Sequence, residues 1–522
     1  MRSLTYLFAL TLFFTTSCNE SPESSYDAAS PEADSGQSDS GTGDSSMGDS
    51  GTRDSGTDGA RDSTTADSGG DTGIDAGGSD TQPATGSCRS VSACIPQDGC
   101  CPSSCDGSKD DDCNAGRQVP VRPVGTRTII VAQDGSGDET TIIAAVNAAK
   151  PGDTIQVKNG TYVGAITAKE DGTAEAPIAL INYPSHTPII KLSADVLPVP
   201  TDQLRLEGDW WLIEGFEIVN GHSGVKVYGD HITLRGNHIH HHAGQDILAV
   251  ANSHFLVEDN HIDWSGRALV STAGDGGGRC EGIVGDNISS PKHCHGIYFS
   301  GGHGSGLCGS DSTGVTIRRN ILSNHAGRAI QWNWKDCVGS ATGYVVENNL
   351  VLDSSWGFVM YHNVQDSLVR NNTFVIRSYP DTNDTGHYLM SMWGTTVKGN
   401  VIVNNIFHSM RTDVQALDVH NVEIGANNTL DFNLWSVATS RWTWGAARSD
   451  FDTAYASVSG WGANALCCQQ DPGFSGGEDF HLEAGSPALG AGDGARCALS
   501  DFEDETRPAN GSCDVGMDQR WP

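Results

Sequence analysis

The chain has 522 residues and a formal net charge of −34 at pH 7, with 31 Lys and Arg against 65 Asp and Glu. This length exceeds the usual size of one domain, so more than one region is expected. The charge argues against a nucleic acid as partner, because phosphate recognition needs clustered Lys and Arg.

The N-terminal segment predicts export. Residues 1–18 combine one basic residue, Arg2, with a short apolar run and the ending TTSC. The run is too short for a membrane span and is typical of a secretory signal. It resembles a bacterial lipoprotein signal, which implies lipidation of Cys18; ordinary cleavage with Cys18 incidental is the alternative. We therefore expect a bacterial cell-envelope protein, lipid-anchored at the outer membrane or cell surface, or secreted, that contacts the membrane only through Cys18.

Residues 19–87 are dominated by Asp, Ser, Gly and Thr in a loose DSG and DTG rhythm. Such a segment buries almost no apolar surface and repels itself, so it is predicted to be a disordered, extended tether. A calcium-loaded repeat is the alternative, but the strict nonapeptide spacing is absent.

Residues 88–113 form a cysteine-rich module with six of the 15 cysteines. In an exported chain this pattern predicts three disulfides, and their pairing stays open. A zinc site fits the spacing, but no histidine accompanies the cysteines. Five aspartates of the module are either solvated surface acids or ligands for a calcium ion between the bridges: Asp98, Asp106, Asp110, Asp111 and Asp112.

A repeated phrase organises residues 223–407. A short alternating β-branched run ends at an asparagine five times, and a second strand opened by a glycine follows. This period, without a helical pattern, predicts a solenoid. The inferred fold class is all-β, a right-handed parallel β-helix over residues 114–434. The asparagines are expected at its corners, with left-handed backbone and with amides bonded from coil to coil: Asn237, Asn260, Asn320, Asn349 and Asn372.

Both ends of the solenoid are predicted to be covered. Residues 128–164 predict a strand, an amphipathic helix from Thr140 to Ala149 and another strand, and the helix would cap the open end of the core. Residues 435–522 are predicted to form an irregular C-terminal cap without a catalytic role. Four cysteines would staple this cap: Cys467, Cys468, Cys497 and Cys513.

The opening coils resemble those of exported pectate-lyase-like β-helix proteins. The similar phrases are AAKPGDTIQVKNGTY (148–162), GTAEAPIALINY (172–183) and DQLRLEGDWWLIEGFEIVNGHSG (202–224). In pattern the chain is most similar, from about residue 128 to 407, to the alginate and chondroitin lyase family and to the calcium-dependent pectate lyases. The resemblance implies a polysaccharide as partner and leaves a requirement for Ca²⁺ open.

One outer face of the coils is the predicted binding surface. If Val225, Ile297, Ile330 and Met360 point inward, the alternate residues form outward columns with a spacing of about 4.8 Å. Aromatic and amide columns suit an extended sugar polymer, although tyrosines are also good strand formers. The predicted substrate-binding residues are Tyr228, Tyr298, Gln331, Asn333 and His362.

The predicted catalytic residues surround an insertion at about residues 267–295 and the loop 300–311. Cleavage of a uronate polymer by β-elimination needs a cation for the carboxylate, a base for the proton on C5 and an acid for the leaving oxygen. Ionisable side chains that could serve are concentrated on this loop and the next two coils. The predicted catalytic set is Lys335, Arg328, His295 and Tyr361, with His293 and His303 in the loops.

The resemblance also bears on the reaction. In the alginate and chondroitin lyases a Lys and an Arg lie on neighbouring coils of this face, the Arg in a phrase like FVMYHN (358–363). Here Tyr361 stands where that Arg would be, and the nearest lysine is Lys335.

From the fold, the outer face and the ionisable side chains together, the chain is predicted to be a monomeric, polysaccharide-active protein, foremost a lyase. A non-catalytic carbohydrate-binding, adhesin or structural protein is the alternative. A glycoside hydrolase, like the polygalacturonases of this fold, would require paired aspartates that the solenoid lacks.

The run NHIHHH (237–242) raises a further question of metal binding. His238 and His240 could share a strand face. Three adjacent histidines at a turn cannot all face one ion, however, and no carboxylate phrase completes a ligand set. These histidines are therefore predicted to be exposed turn residues.

Overall fold

The computed structural model describes the solenoid region of the chain. The described residues are 127–192, 196–197, 202–266, 271–272, 294–302, 311–335, 337–379, 386–394, 396–420, 427–438, 442–444, 447–449, 462–467, 471–508 and 511–520. The predictions for the signal segment with Cys18, the tether and the cysteine-rich module lie outside them, as do those for His293 and His303. Among the described residues, no helix has the length and apolar character needed to cross a membrane.

Three long parallel sheets build the molecule, and each coil contributes one strand to each sheet. Sheet A contains β1 (Thr128–Val131), β2 (Thr154–Val157), β5 (Ile178–Asn182), β9 (Trp211–Glu214), β12 (Thr233–Arg235), β15 (Leu256–Glu258), β20 (Thr316–Arg318), β24 (Val345–Glu347), β28 (Leu368–Arg370), β31 (Val401–Val403) and β34 (Thr429–Asp431). Sheet B contains β3 (Thr161–Val163), β6 (Ile189–Lys191), β10 (Glu217–Val219), β13 (His238–His240), β16 (His261–Asp263), β21 (Ile321–Ser323), β25 (Leu350–Leu352), β29 (Thr373–Val375), β32 (Ile406–Ser409), β35 (Leu434–Val437) and β38 (Leu466–Cys467).

Sheet C completes each coil. It contains β4 (Ile166–Ala168), β8 (Asp202–Leu206), β11 (Ser223–Val227), β14 (Ile247–Val250), β18 (Ile297–Ser300), β22 (Arg328–Asn333), β26 (Trp356–Tyr361), β30 (His387–Trp393), β33 (Val414–Val419), β36 (Trp442–Trp444) and the antiparallel β37 (Ala447–Ser449). Shorter pairings join β7 (Val196–Leu197) to β17 (Ser271–Thr272), β23 (Ala341–Thr342) to β19 (Ser312–Thr313) and β27 (Val364–Gln365), and β39 (Phe474–Gly476) to β40 (Asp479–Leu482). The predicted right-handed parallel β-helix is confirmed.

Alternation along the strands fills the interior. Of every two consecutive residues in a strand, one side chain points inward. The inward side chains are buried and form an apolar core that runs along the solenoid. Aromatic rings stack from coil to coil inside it: the centroids of Phe374 and Phe407 are 5.0 Å apart, and those of Phe407 and Trp435 are 4.1 Å apart. The core is therefore built by repetition, with each coil buried by its neighbours.

A short helix covers the start of this core, as the sequence predicts. Helix α1 (Ile142–Ala148) begins after Thr141, whose hydroxyl accepts a hydrogen bond from the Ala144 N–H at 3.2 Å. It buries Ile142, Ala145 and Val146 against the first coil. This burial shields apolar surface that the first strands would otherwise expose.

A ladder of buried asparagines fixes the corner between sheets A and B. Each side-chain oxygen accepts from the backbone N–H and the amide of the asparagine one coil earlier; Asn320 and Asn349, for example, are joined by two such bonds of 3.0 Å. The ladder extends beyond the five predicted members to Asn405 and Asn433. The prediction that these asparagines have left-handed backbone is wrong. The positive φ falls one residue earlier, at Asn348 (53°) for example, because the ladder side chain must point into the coil.

The C-terminal segment 471–520 packs along the side of the solenoid, on the outer face of sheet B. Its Phe480 and Met517 pack against Leu350, Leu352 and Val375. Within it, Cys497 and Cys513 form a disulfide. The paired coils continue to Leu466–Cys467, past the boundary at residue 434 drawn from the sequence.

A buried arginine anchors this segment. The Arg507 guanidinium donates to the carbonyls of Gly516 (2.9 Å) and Met517 (2.8 Å), and to the side-chain oxygen of Asn348 (3.2 Å) on the solenoid. Burial lowers its pKa to about 10, still far above neutrality. The charge is held by carbonyl dipoles, so the segment is docked by polar as well as apolar contacts.

The buried carboxyl of Asp501, in the same segment, is predicted to make stability depend on pH. Burial raises its pKa to about 6, so the folded protein favours the protonated form. The stabilisation is complete below the unfolded pKa of about 4 and is lost as the pH rises through 6. Asp501→Asn should therefore match the parent at pH 4 and exceed it by about 1–2 kcal/mol at pH 7.

Thermal unfolding at both pH values measures this difference. Asn can still accept the hydrogen bond from the Glu505 N–H (2.8 Å), so the comparison isolates the charge. Asp471→Asn, at an exposed position, is the control and should change the stability at pH 7 by less than Asp501→Asn does. Equal behaviour of Asp501→Asn and the control would contradict the prediction.

Candidate functional site

The outward side of sheet C carries most of the predicted site residues. Val225, Ile297, Ile330 and Met360 are completely buried in the core, so their strand neighbours face outward as predicted. We call the outward side chains of β18, β22, β26 and β30, with the residues that directly precede or follow these strands, the sheet C face. Pairing between the strands forms two rows on this face. The first row is Tyr298, Gln331, Val359 and Ser391; the second row is Ser300, Asn333, Tyr361 and Trp393.

Tyr228 lies apart from this face. It directly follows β11, which is separated from β18 by β14, and β14 presents Leu248 and Val250 outward. The predicted column of aromatic and amide groups is therefore interrupted by apolar side chains. Tyr228 instead contacts cations of its own coils, with the Arg205 guanidinium 4.5 Å and the Lys226 ammonium 5.6 Å from the ring centroid.

Tyr298 is the centre of the sheet C face. Its phenol oxygen accepts a hydrogen bond of 3.0 Å from the amide of Asn333. Its ring meets that of His295 edge to face, with centroids 4.9 Å apart. Burial raises the pKa of the phenol above its usual value. Tyr298 therefore holds its proton at neutral pH, which suits a proton donor better than a base.

Asn333 links Tyr298 to Lys335. While its amide donates to the phenol, its carbonyl oxygen accepts from the backbone N–H of Lys335 at 2.9 Å. Lys335 directly follows Trp334, which is fully buried in the core. A rigid strand end thus fixes where the lysine side chain leaves the sheet.

Arg328 lies at the opposite end of the same strand. Its guanidinium sits over the ring of Trp356 at 4.7 Å, and Trp356 contacts the ring of Tyr388 at 4.3 Å. Its backbone N–H donates to Nδ1 of His295 at 3.4 Å, and His295 is buried. Arg328 therefore lies beside two aromatic rings, Trp356 and Tyr388, that were not predicted from the sequence.

Arg328 and Lys335 border the sheet C face at the two ends of β22. At about 3.3 Å per residue, their backbones are roughly 20 Å apart along this six-residue strand. The charge of Arg328 nevertheless acts on the phenol of Tyr298, where it partly offsets the effect of burial on the pKa. Tyr298 is therefore influenced by Arg328 as well as by the Asn333 amide.

A second aromatic group lies beyond Tyr361. The rings of Tyr361 and Trp393 are 5.9 Å apart, and Trp393 stacks on His420 at 4.7 Å. His362 meets Tyr361 edge to face at 4.4 Å. Trp393 and His420 were missed in the sequence. The available signal was that Trp393 ends GHYLMSMW (386–393), an alternating run opened by a glycine like those of the earlier coils.

The strands of this site supply no cluster of carboxylates. None of β18, β22, β26 and β30 contains Asp or Glu. The next strand provides Asp418, which accepts from the indole N–H of Trp393 at 2.6 Å and whose pKa is raised by burial. Ca²⁺ takes about six to eight oxygen ligands. The described part of the sheet C face therefore does not fit the calcium site that the resemblance leaves open.

The histidine run 237–242 lies on sheet B, and its histidines are not the exposed turn residues that the sequence predicted. His238 and His240 belong to strand β13, and His242 is fully buried with Nδ1 2.7 Å from a carboxylate oxygen of Asp246. A carboxylate that could complete a set of metal ligands was not expected, but Asp263 of the next coil lies 3.1 Å from Nε2 of His238. The coil register, which the sequence phrase did not reveal, causes both differences.

Comparison with known proteins agrees with this fold. Residues 126–267 match the family model described as Pel9A-like, right handed beta helix region, and residues 205–374 match the right handed beta helix region. Pectate lyase L of Paenibacillus polymyxa is 29% identical over 103 residues, which are 19% of this chain and 23% of that relative. The match thus spans less than a quarter of the curated relative.

Solved structures of β-helix proteins are also similar. Pectate lyase Pel9A is 18% identical with a TM-score of 0.44, covering 76% of this chain and 96% of its own. An alginate lyase from Paenibacillus sp. is 16% identical with a TM-score of 0.35, covering 62% and 100%. PfbA, a surface adhesin of Streptococcus pneumoniae, is 15% identical with a TM-score of 0.36, covering 57% and 74%. With the sheets described above, the matched regions identify the solenoid as a right-handed parallel β-helix.

Proposed function

We propose that the chain is a polysaccharide lyase that cleaves a uronate-containing polymer by β-elimination on the sheet C face. One observation carries this proposal: in a chain of net charge −34, the strands of this face contain no carboxylate, and Arg328 and Lys335 flank its aromatic and amide side chains. A local cationic surface of this kind attracts a polyanion that the rest of the protein would repel. Similarity to pectate lyase L over 103 residues supports the same class of substrate.

The proposed reaction uses the end of β22. Lys335, in its unprotonated form, takes the proton from C5 of the uronate. The electron pair of that C–H bond forms the C4–C5 double bond, and the C4–O bond breaks. Tyr298 gives its phenolic proton to the departing oxygen, and water restores it afterwards. The Asn333 amide donates to the phenol oxygen, so it leaves the phenolic hydrogen free to point at the substrate and helps to stabilise the phenolate.

Arg328 is assigned to the substrate carboxylate, because its charge acts on the phenol of Tyr298. Its guanidinium, which lies over the Trp356 ring, would neutralise the carboxylate of the uronate that reacts. Guanidinium groups pair with carboxylates through two parallel hydrogen bonds. At the other end, Tyr361 and His362 border the reaction centre beside Trp393. A polymer that crosses the sheet in this direction contacts both positions.

A substrate panel with a lysine variant tests the proposal. The full chain is incubated with alginate, pectate, chondroitin and a neutral glycan, with and without Ca²⁺, and the ultraviolet absorbance of the unsaturated product is followed. We expect activity on one uronate polymer and at least a 100-fold loss of kcat in Lys335→Ala, in the range for removal of a general base. Lys169→Ala, at an exposed lysine of the opening coils, should retain parental activity. Full activity of Lys335→Ala would refute the assignment of the base.

A non-catalytic carbohydrate-binding protein is the second candidate. The ring pairs Trp356 with Tyr388 and Trp393 with His420 could hold sugars without any reaction. Binding of a polymer with no unsaturated product and no new reducing ends would favour it. In either case we propose a monomer held at the bacterial surface through lipid on Cys18, a location supported by the signal-like segment and the acidic tether.

A further inference from the structure

We propose that the outer face of sheet B carries a binding site for a divalent transition metal of the zinc class, with His238, His261 and Asp263 as ligands. The site is independent of the proposed lyase reaction, because it lies on a different sheet. The three ligands come from the adjacent strands β13 and β16.

The register of sheet B creates this group. His238 pairs with His261, and His240 pairs with Asp263, while Ile239 and Ile262 between them point into the core. The four polar side chains therefore share the outward face of two neighbouring coils. Because the buried isoleucines fix the register, the ligand positions are set by the scaffold before any ion binds.

The distances suit a single ion. Nε2 of His238 lies 3.1 Å from one oxygen of Asp263, and Nε2 of His261 lies 3.6 Å from the other. The donor atoms of the three residues all lie within 4.8 Å of one another. A tetrahedral site with metal–ligand distances of about 2.0–2.2 Å has its donors roughly 3.3 Å apart. The rings of His238 and His261 are stacked nearly parallel, with centroids 4.7 Å apart, so both imidazoles must rotate for their lone pairs to meet at one ion.

The surroundings orient the ligands and leave them accessible. The side chains of His238 and His261 are 42% and 47% exposed, whereas that of Asp263 is 11% exposed. The His238 ring stacks on that of His240 at 4.0 Å, and Nε2 of His240 lies 3.4 Å from a Glu217 oxygen. Stacking on His240 limits the rotation of the His238 ring. The described C-terminal segment packs on β25 and β29 of the same sheet, so it does not cover β13 and β16.

The ligand types select the metal. Two imidazoles and one carboxylate are donors for Zn²⁺, Ni²⁺, Cu²⁺ or Fe²⁺, whereas Ca²⁺ and Mg²⁺ prefer oxygen ligands. Three protein ligands with exposed imidazoles leave a coordination position open to water or to a small donor. We assign the site to Zn²⁺-class ions, and it would tie two coils of the solenoid together.

Calorimetric titration with Zn²⁺ tests this site. The described residues hold one further group of this kind, His481, Glu503 and Asp518, so the titrations are made in the His481→Gln background of the full chain after treatment with a chelator. We expect a saturable component of Zn²⁺ binding that excess Ca²⁺ does not displace, and a rise in the melting temperature on binding. His261→Gln and Asp263→Asn should each weaken Zn²⁺ binding at least ten-fold.

The exposed position of His261 makes misfolding of its variant unexpected, and circular dichroism checks it. The control is His186→Gln, an imidazole on an earlier coil that accepts a backbone hydrogen bond from Asn159, and it should bind Zn²⁺ like the parent. Parental affinity in both His261→Gln and Asp263→Asn would overturn the proposal, as would displacement by Ca²⁺ of the Zn²⁺ component that these two variants lose.

Discussion

Tyr298→Phe is expected to lower kcat on the responsive uronate polymer by about 10²–10⁴-fold, the range for loss of a general acid. The substitution removes only the hydroxyl that accepts from Asn333 and keeps the ring that meets His295. KM should change little, because sugar contacts of the ring and of the Trp356 and Tyr388 pair remain. Steady-state kinetics with the full chain measures both parameters.

Tyr228→Phe is the matched control for this variant. It removes the same hydroxyl from a tyrosine on the outer side of sheet C, two coils before Tyr298. Its kcat should stay within about two-fold of the parent, well short of the loss expected when a proton donor is removed. Since the pKa of Tyr298 is raised, ionisation of this phenol should not reduce kcat below pH of about 10. Equal kcat values for Tyr298→Phe and Tyr228→Phe would remove the phenol from the mechanism.

Asn349→Ala is expected to cost about 3–5 kcal/mol of unfolding free energy, at the upper end for single substitutions. The fully buried Asn349 amide donates to the carbonyls of Ile317 and Glu347 and to the side chain of Asn372, at 2.9, 3.0 and 2.9 Å. Its oxygen accepts two bonds from Asn320. Alanine would remove all of these side-chain bonds from a buried corner, while the Asn349 backbone N–H would keep its bond to the Asn372 oxygen.

Urea unfolding of the full chain, followed by circular dichroism, measures this loss. Asn464→Ala is the control, since Asn464 is exposed and its amide makes one side-chain bond, of 3.0 Å, to Asp431. It should cost less than about 1 kcal/mol. A cost for Asn349→Ala as small as that of the control would show that the ladder does not hold the coils together.

The repeating parts of the fold were predictable because each coil repeats the same constraints. The spacing of Asn237 and Asn260 indicated the ladder, and period-2 alternation gave the inward positions of Ile297 and Ile330 correctly. The residue that takes the left-handed backbone was missed, because the sequence marks the corner without showing which of two adjacent residues makes the turn.

The candidate site was predicted less completely, because it depends on distances between side chains, which the sequence pattern does not show. The sequence indicated Arg328 and Lys335, but not that they border the face at the two ends of the six-residue strand β22. For the histidines a signal was present: the interval of 23 residues between Asn237 and Asn260 also relates His238 to His261, so the ladder spacing predicts their pairing. The docking of the C-terminal segment through Arg507 follows no repeat and required the structure.

The mass of the oligosaccharides released from the uronate polymer tests the central claim most directly. Elimination adds no water, so each new non-reducing end should carry an unsaturated sugar, and the fragment should be lighter by one water than the hydrolysis product. We expect such fragments from the full chain and their loss in Lys335→Ala and Tyr298→Phe. Fragments with the mass of hydrolysis products, or a polymer that is bound but not cleaved, would contradict the account.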